Sequence, residues 1–167
     1  MNLIQIHQSD VNRWHANRSP KLRDSGDTTD KHSLRMIKLL IALNPHLPVS
    51  SMRRASLLLW AIALHDVGES QLGDVSGKAK AEHPKLAAAL DQAEAENRAA
   101  MGLKMPKLNE TQWLVLHFLD RLDAVIWVKI HDPDQLCDAD WQETINWLSA
   151  QADALGVDIT EVLGAMP

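Results

Sequence analysis

Apolar positions recur along this chain with a helical period and nowhere with the strict alternation of a strand. They are filled mostly by Leu, Ala, Ile and Met, which favour helix, while Tyr is absent and Phe118 is the only phenylalanine. The pattern predicts an all-α protein. A short helix is expected over residues 2–15, followed by a polar loop over 18–30 (RSPKLRDSGDTTD), where Pro20, Gly26 and the Ser, Asp and Thr residues supply turn chemistry. The next helix spans about 30–44 and is stopped by Pro45 and Pro48. Ser50 or Ser51 can cap a helix running to about Val67, and its LLLWAIAL segment is apolar all round, which predicts the buried centre of the bundle. Gly68 and Gly73 flank a loop with room for a short helix. Pro84 opens an alanine-rich helix to about Met101, with Gly102 as its C′ residue. Asn109 with Gln112 forms a near capping box for a helix to about Ile130. Asp140 with Glu143 starts another, ending near Gly156, and Asp158 with Glu161 a short terminal one.

Composition narrows this picture. At 167 residues, without repeats or a linker, the chain reads as a single domain with a real core. One cysteine, Cys137, excludes an internal disulfide and a Cys-based zinc cluster, and suits a reducing compartment. The net charge of -5 argues against a nucleic-acid partner. The longest apolar run, residues 57–64, is too short to span a bilayer, so no membrane association is expected. Residues 1–10 lack a basic start followed by an apolar run, so no signal peptide is expected and a cytoplasmic location is.

Chemistry enters with His65-Asp66, at the end of the most apolar helix. A carboxylate just past an apolar run is costly unless it is paired or bound to a metal. Adjacent helical residues point about 100° apart, so both can reach one ion only where the helix ends or bends. Gly68 provides such a place. His32, in the first turn of a helix, and Asp120, interrupting the apolar pattern WLVLHFLDRLDAVIWV, are further candidates. Two imidazoles and two carboxylates make a mixed N/O site for Mn, Fe, Co, Ni or Zn. Taken singly, each has an ordinary reading: His32 as a surface residue, Asp120 as the partner of Arg121 or a lysine. Only the order His…His-Asp…Asp, on separate helices, favours a site.

That order, His32, His65-Asp66, Asp120, resembles the HD superfamily of metal-dependent phosphohydrolases. The segment HDVGESQLGDVSGKAK (His65 to Lys80) is similar to the corresponding segment of bacterial HD-domain 5′-deoxynucleotidases, with a glutamate three residues after the HD pair, then Gly-Asp, then a lysine. Arg13-Trp14 resembles an Arg-Trp pair that those enzymes place against substrate. The loop between Arg13-Trp14 and His32 is longer and looks more like that of phage-encoded relatives, some of which degrade dATP. The resemblance implies a single HD-type helical bundle over residues 1–167. It also implies one divalent transition metal (Co, Mn, Zn, Ni or Fe) on His32, His65, Asp66 and Asp120, and a deoxynucleotide substrate. A homo-oligomer is implied too, in the cytoplasm or, for a phage-encoded chain, the host's.

The same resemblance assigns catalysis to Glu69 and Asp74. Glu69 would handle the proton of the nucleophile or leaving group; its ordinary reading is a solvated loop residue. Asp74, after Gly73, would hold the sugar 3′-hydroxyl. Arg13 and Lys80 would contact phosphate, with Lys78 as the rival of Lys80. Trp14 would wall the sugar and exclude a 2′-hydroxyl; its alternative is the core, the place expected for Trp60, Trp113 and Trp147. A 5′-nucleotidase acting on dNMPs is the first expectation. A dNTP triphosphohydrolase is the rival, with Arg18, Lys21 and Arg23 of the basic loop gripping the phosphate chain. A non-catalytic metal-binding helical module is the alternative of another class. His117 and Asp123 flank Asp120 by one turn each and could support the ligands from behind, with His117 as the substitute ligand.

Overall fold

Helix α7 (Glu110–His131) is the axis of the molecule, and it buries Val115, Leu116, Phe118, Leu119, Leu122, Val125 and Val128. Chain order explains what surrounds it. The computed structural model describes residues 3–49 and 51–164. Within them lie α1 (Leu3–His7), α2 (Pro20–Arg23), α3 (Thr29–Leu43), α4 (Met52–Leu64), α5 (Gly77–Glu82), α6 (Pro84–Ala100), α7, α8 (Ala139–Leu155) and α9 (Thr160–Leu163), with 3-10 turns at Val67–Gln71 and Pro133–Cys137. The fold is all-α; among the described residues extended pairing is limited to an isolated bridge between Asn12 and Thr28. Met36 and Leu40 of α3, Leu58, Ala61 and Ile62 of α4, and Leu148 and Ala152 of α8 close the core around α7.

The near capping box expected at Asn109 and Gln112 is a full one, each side chain bonding the other residue's backbone N–H. Gly102 and Gly156 take positive φ after their helices, as a C′ glycine does. The expected cap of α4 is in place: Ser51 holds the N-cap position, without a side-chain bond, and Ser50 lies outside the described residues. Three expectations need correction. Helix α4 is one-sided rather than buried all round: Trp60 is 58% exposed, because α7 takes the central place. Trp113 is likewise 40% exposed, and Trp147 is only half buried, with the Arg121 guanidinium 4.1 Å above its ring. Lastly, the first helix stops at His7.

That early stop shapes the site. Ser9 turns its hydroxyl back onto the Ile6 carbonyl, and Asp10 accepts the backbone N–H of Asp30 and the hydroxyl of Thr29. Residues 11–13 then run beside 27–29, with Thr29 N–H donating to the Val11 carbonyl and Arg13 N–H to that of Asp27. Arg13 and Trp14 are thus strapped against the start of α3, one turn from His32. The polar loop folds a helical turn at Pro20–Arg23, capped by Ser19, and α3 begins at Thr29 with Thr28 as its cap.

On the other side, α6 clamps the turn after His65. Asn97 donates to the Gly68 carbonyl and Arg98 to that of His65. Gly68 meets α6 so closely that a Cβ would lie 2.5 Å from the Glu94 carbonyl oxygen. Gly68→Ala must therefore push α6 away and should cost about 1–3 kcal/mol, the range for overpacking. Gly77→Ala, where a Cβ meets nothing within 4 Å, should stay within about 0.5 kcal/mol of the parent. Urea denaturation of both variants checks the contrast.

Candidate metal centre

Three elements converge on one point. His32 comes from the first turn of α3, His65 and Asp66 from the end of α4, and Asp120 from mid-α7. Ligand atoms of His32, His65 and Asp66 lie within 4.8 Å of one another. His32 Nε2 is 3.1 Å from Asp120 Oδ1 and 3.8 Å from Asp66 Oδ2. His65 Nε2 is 3.2 Å from Asp66 Oδ1 and 3.4 Å from His32 Nε2. His65 and Asp66 follow the last residue of α4 with their backbones still in the right-handed helical region (φ -62, ψ -42 and φ -96, ψ -8), and their side chains come together there, Nε2 to Oδ1 at 3.2 Å.

The outer ring nitrogens decide what the inner ones offer. His65 Nδ1 lies 2.7 Å from the Ile62 carbonyl and His32 Nδ1 2.7 Å from Asp123 Oδ2. Both partners only accept, so each Nδ1 carries a hydrogen, and a ring that gives up its Nε2 proton turns that lone pair inward. Two such lone pairs facing each other between two carboxylates repel unless a cation lies among them. The donor set therefore fits a divalent transition metal. A proton is the competitor. Burial alone would strip it from His32, yet hydrogen bonds to Asp120 and Asp123 hold the pKa up at about 9. Burial also penalises the Asp120 anion, but the same His32 bond keeps it well below the usual carboxylate range.

Asp123 is itself fixed from behind. Arg35 grips it through Nε and Nη2, both at 2.8 Å, and reaches Asp27 through Nη1 at 2.8 Å and Nη2 at 3.0 Å. The sequence placed Asp123 one turn from Asp120 but missed Asp27 and Arg35. The available signal was spacing: Arg35 follows His32 by three residues, as Asp123 follows Asp120, so both pairs face each other across α3 and α7. His117 instead stacks on Trp113 at 5.7 Å, facing outward, and is not in the cluster.

Around the cluster, Arg13 feels the charges of Asp66, Asp120, Asp74 and Asp27. Its buried Nη1 is 3.7 Å from Asp27 and 3.8 Å from Asp123 and hydrogen-bonds to neither. Trp14 sits at φ 63, a left-handed conformation rare for a bulky residue. Its indole N–H donates to Asp27 at 2.9 Å, its carbonyl accepts the Asn17 N–H at 2.8 Å, and its backbone lies near the Asp74 carboxylate. Its ring is half-buried, 6.1 Å from that of Trp141. Glu69 is buried; burial first, then Asp66 and Asp74, push its carboxyl up to about 8, against the opposing charge of Lys80. Lys80 Nζ lies 3.6 Å from Glu69 and 3.2 Å from Glu94. Its rival Lys78 is exposed and pairs with Asp140, away from Glu69. Arg23 is exposed on α2, whose flanks meet α7 at Trp127 and Asp132, beyond the metal-ligand half of that helix.

A family model described as HD domain matches residues 29–154, most of the chain, and this range contains all four proposed ligands. Comparison with curated proteins returned no match, and neither did comparison with solved structures. No helix among the described residues is long and apolar enough to cross a membrane.

The His32 proton generates a prediction. Its pKa rises from 6.5 to about 9 on folding, so this contribution to stability is complete below 6.5 and is lost as pH climbs through 9. Glu69, raised from 4.5 to about 8, acts in the same direction, with its contribution complete below 4.5 and lost as pH climbs through 8, overlapping that of His32 above 6.5. Metal-free protein should therefore lose melting temperature between pH 6.5 and 9. Mn(II) affinity should rise over the same window by about tenfold per pH unit, since one proton is displaced. Calorimetric scans and titrations across that range measure both.

Proposed function

The chain belongs to the HD-domain family, and from that footing we propose a metal-dependent phosphohydrolase that releases phosphate from deoxyribonucleoside 5′-monophosphates. HD domains are in general metal-dependent phosphohydrolases. The observation that carries the finer reading is the buried, unpartnered Nη1 of Arg13 beside the cluster. Two carboxylates attract it without using its hydrogens, so a phosphate oxygen arriving at the metal edge would find a charge-assisted donor already in place.

His32, His65, Asp66 and Asp120 would hold the metal, which when bound lowers the pKa of water toward ~7 and polarises a phosphoryl oxygen. The remaining roles belong to the chain. Glu69, with its carboxyl pushed up to about 8, is protonated at neutral pH and can donate to the departing 5′-oxygen. Lys80 stands next to it and can share its charge with a phosphate. Asp74 lies beside the Trp14 backbone and has carboxylate lone pairs for the sugar 3′-hydroxyl. The Trp14 ring, beside it, would limit room at the 2′ position.

The triphosphate alternative asks the basic loop to reach over the site. Lys21 instead binds Asp132, twelve residues, or about 18 Å, along α7 from Asp120. Arg23 lies at that same end, which leaves Arg18 alone of the three. Monophosphates are therefore the favoured substrates.

Incubation with dNMPs, NMPs and dNTPs in the presence of Mn(II) or Co(II) tests the reading. Phosphate release should be greatest from dNMPs and should vanish with chelator. Glu69→Gln should retain metal and melting temperature while losing about 10²–10⁴-fold in turnover, as expected for a missing proton donor. Inertness toward every nucleotide with metal bound would point to the non-catalytic module.

A further inference from the structure

The metal cluster and the Arg13-Trp14 strap are joined by a single guanidinium. Arg35 holds Asp123, which holds His32; Arg35 also holds Asp27, which holds the Trp14 indole. The Arg35 plane is covered by the Trp127 ring at 4.2 Å, and that indole donates to Ser25. Arg35 is thus fixed on its edges by two carboxylates and on its face by an aromatic ring. Asp27 is almost fully buried, and no oxygen of it is spare: Oδ1 takes Arg35 Nη1, and Oδ2 takes Arg35 Nη2 and Trp14 Nε1. The carboxylates facing Arg13 Nη1 are the same two.

The strap needs this support. A tryptophan at φ 63 is strained and persists only where its surroundings over-determine it. Asp27 fixes its side chain, and the Asn17 N–H on its carbonyl together with the Arg13 N–H on that of Asp27 fixes its backbone. We propose that Asp27 is a positioning residue for the phosphate-binding Arg13 and the Trp14 wall, and that Arg35 makes this strap and the His32 metal ligand one mechanical unit. The inference rests on the phosphohydrolase reading, since it gives Arg13 a phosphate to bind.

The two carboxylates then have separable effects. Asp27→Asn removes the charge on the strap side; the Asn oxygen still accepts one donor, and Asp123 keeps its grip on His32. Arg35→Lys breaks both forks at once, because an ammonium cannot span two carboxylates in plane. Titration calorimetry with Mn(II), and then with inorganic phosphate on the Mn-loaded protein, reads the two ends without relying on turnover. Asp27→Asn should bind Mn(II) within about threefold of the parent and phosphate about tenfold more weakly. Arg35→Lys should weaken Mn(II) by about 10–100-fold, the usual effect of disturbing a ligand's outer partner, and weaken phosphate as well. Leu155→Ala, a core change on α8 outside the network, should lose melting temperature yet keep both affinities.

Parent-like phosphate binding in Asp27→Asn overturns the positioning role, and parent-like Mn(II) binding in Arg35→Lys overturns the mechanical link. Matching losses in Leu155→Ala would reduce both effects to general destabilisation and overturn the proposal. If the parent protein itself neither binds phosphate nor releases it from any nucleotide, the phosphohydrolase reading fails and the inference with it.

Discussion

Burying His32 with a carboxylate at each ring nitrogen is the constraint on which the site depends. An imidazole in a dry interior prefers to be neutral. Asp120 at Nε2 and Asp123 at Nδ1 make the charged state, or its replacement by a metal, the stable one. Asp123 can be buried only because Arg35 satisfies it, and Arg35 is balanced in turn by Asp27. A chain of alternating charge therefore runs from the core outward to the N-terminal strap. Removing one member leaves an uncompensated buried charge, which costs far more than the pair contributes.

The helices serve this arrangement. α7 supplies the core face and two of the carboxylates one turn apart, so its register fixes Asp120 and Asp123 together. α3 presents His32 and Arg35 with the same spacing, and the two helices need only one packing register to bring both pairs into contact. α4 delivers His65 and Asp66 at its end, and α6 locks that end through the backbone carbonyls of His65 and Gly68. The surrounding residues keep the imidazoles and carboxylates of the cluster from relaxing apart.

Much of this was legible in the sequence, for physical reasons. Helix periodicity, the Asn109–Gln112 box and the terminal glycines report local structure, and their elements lie where the pattern put them. His65-Asp66 and Asp120 stood out because polar groups on apolar helices need a partner, while His32, ordinary by itself in a first helical turn, stood out only through the order His…His-Asp…Asp. What stayed hidden was tertiary. The LLLWAIAL run could not say that α7 rather than α4 takes the centre, so Trp60 looked buried and is exposed. Asp27 sat in a loop rich in turn residues, where an aspartate is unremarkable, and only the return of residues 11–13 along 27–29 makes it a buried anchor. The early end of α1 was missed because the bonds of Ser9 and Asp10 that stop it are made partly to α3.

The central claim is that both imidazoles turn Nε2 toward one divalent ion, each with Nδ1–H held from behind. Long-range ¹H–¹⁵N NMR of the histidine rings during titration with Zn(II) tests it most directly. The account predicts Nδ1-protonated tautomers for His32 and His65, with both Nε2 resonances moving together and saturating at one equivalent. Coordination through Nδ1, or one ring left unchanged at saturation, would contradict it.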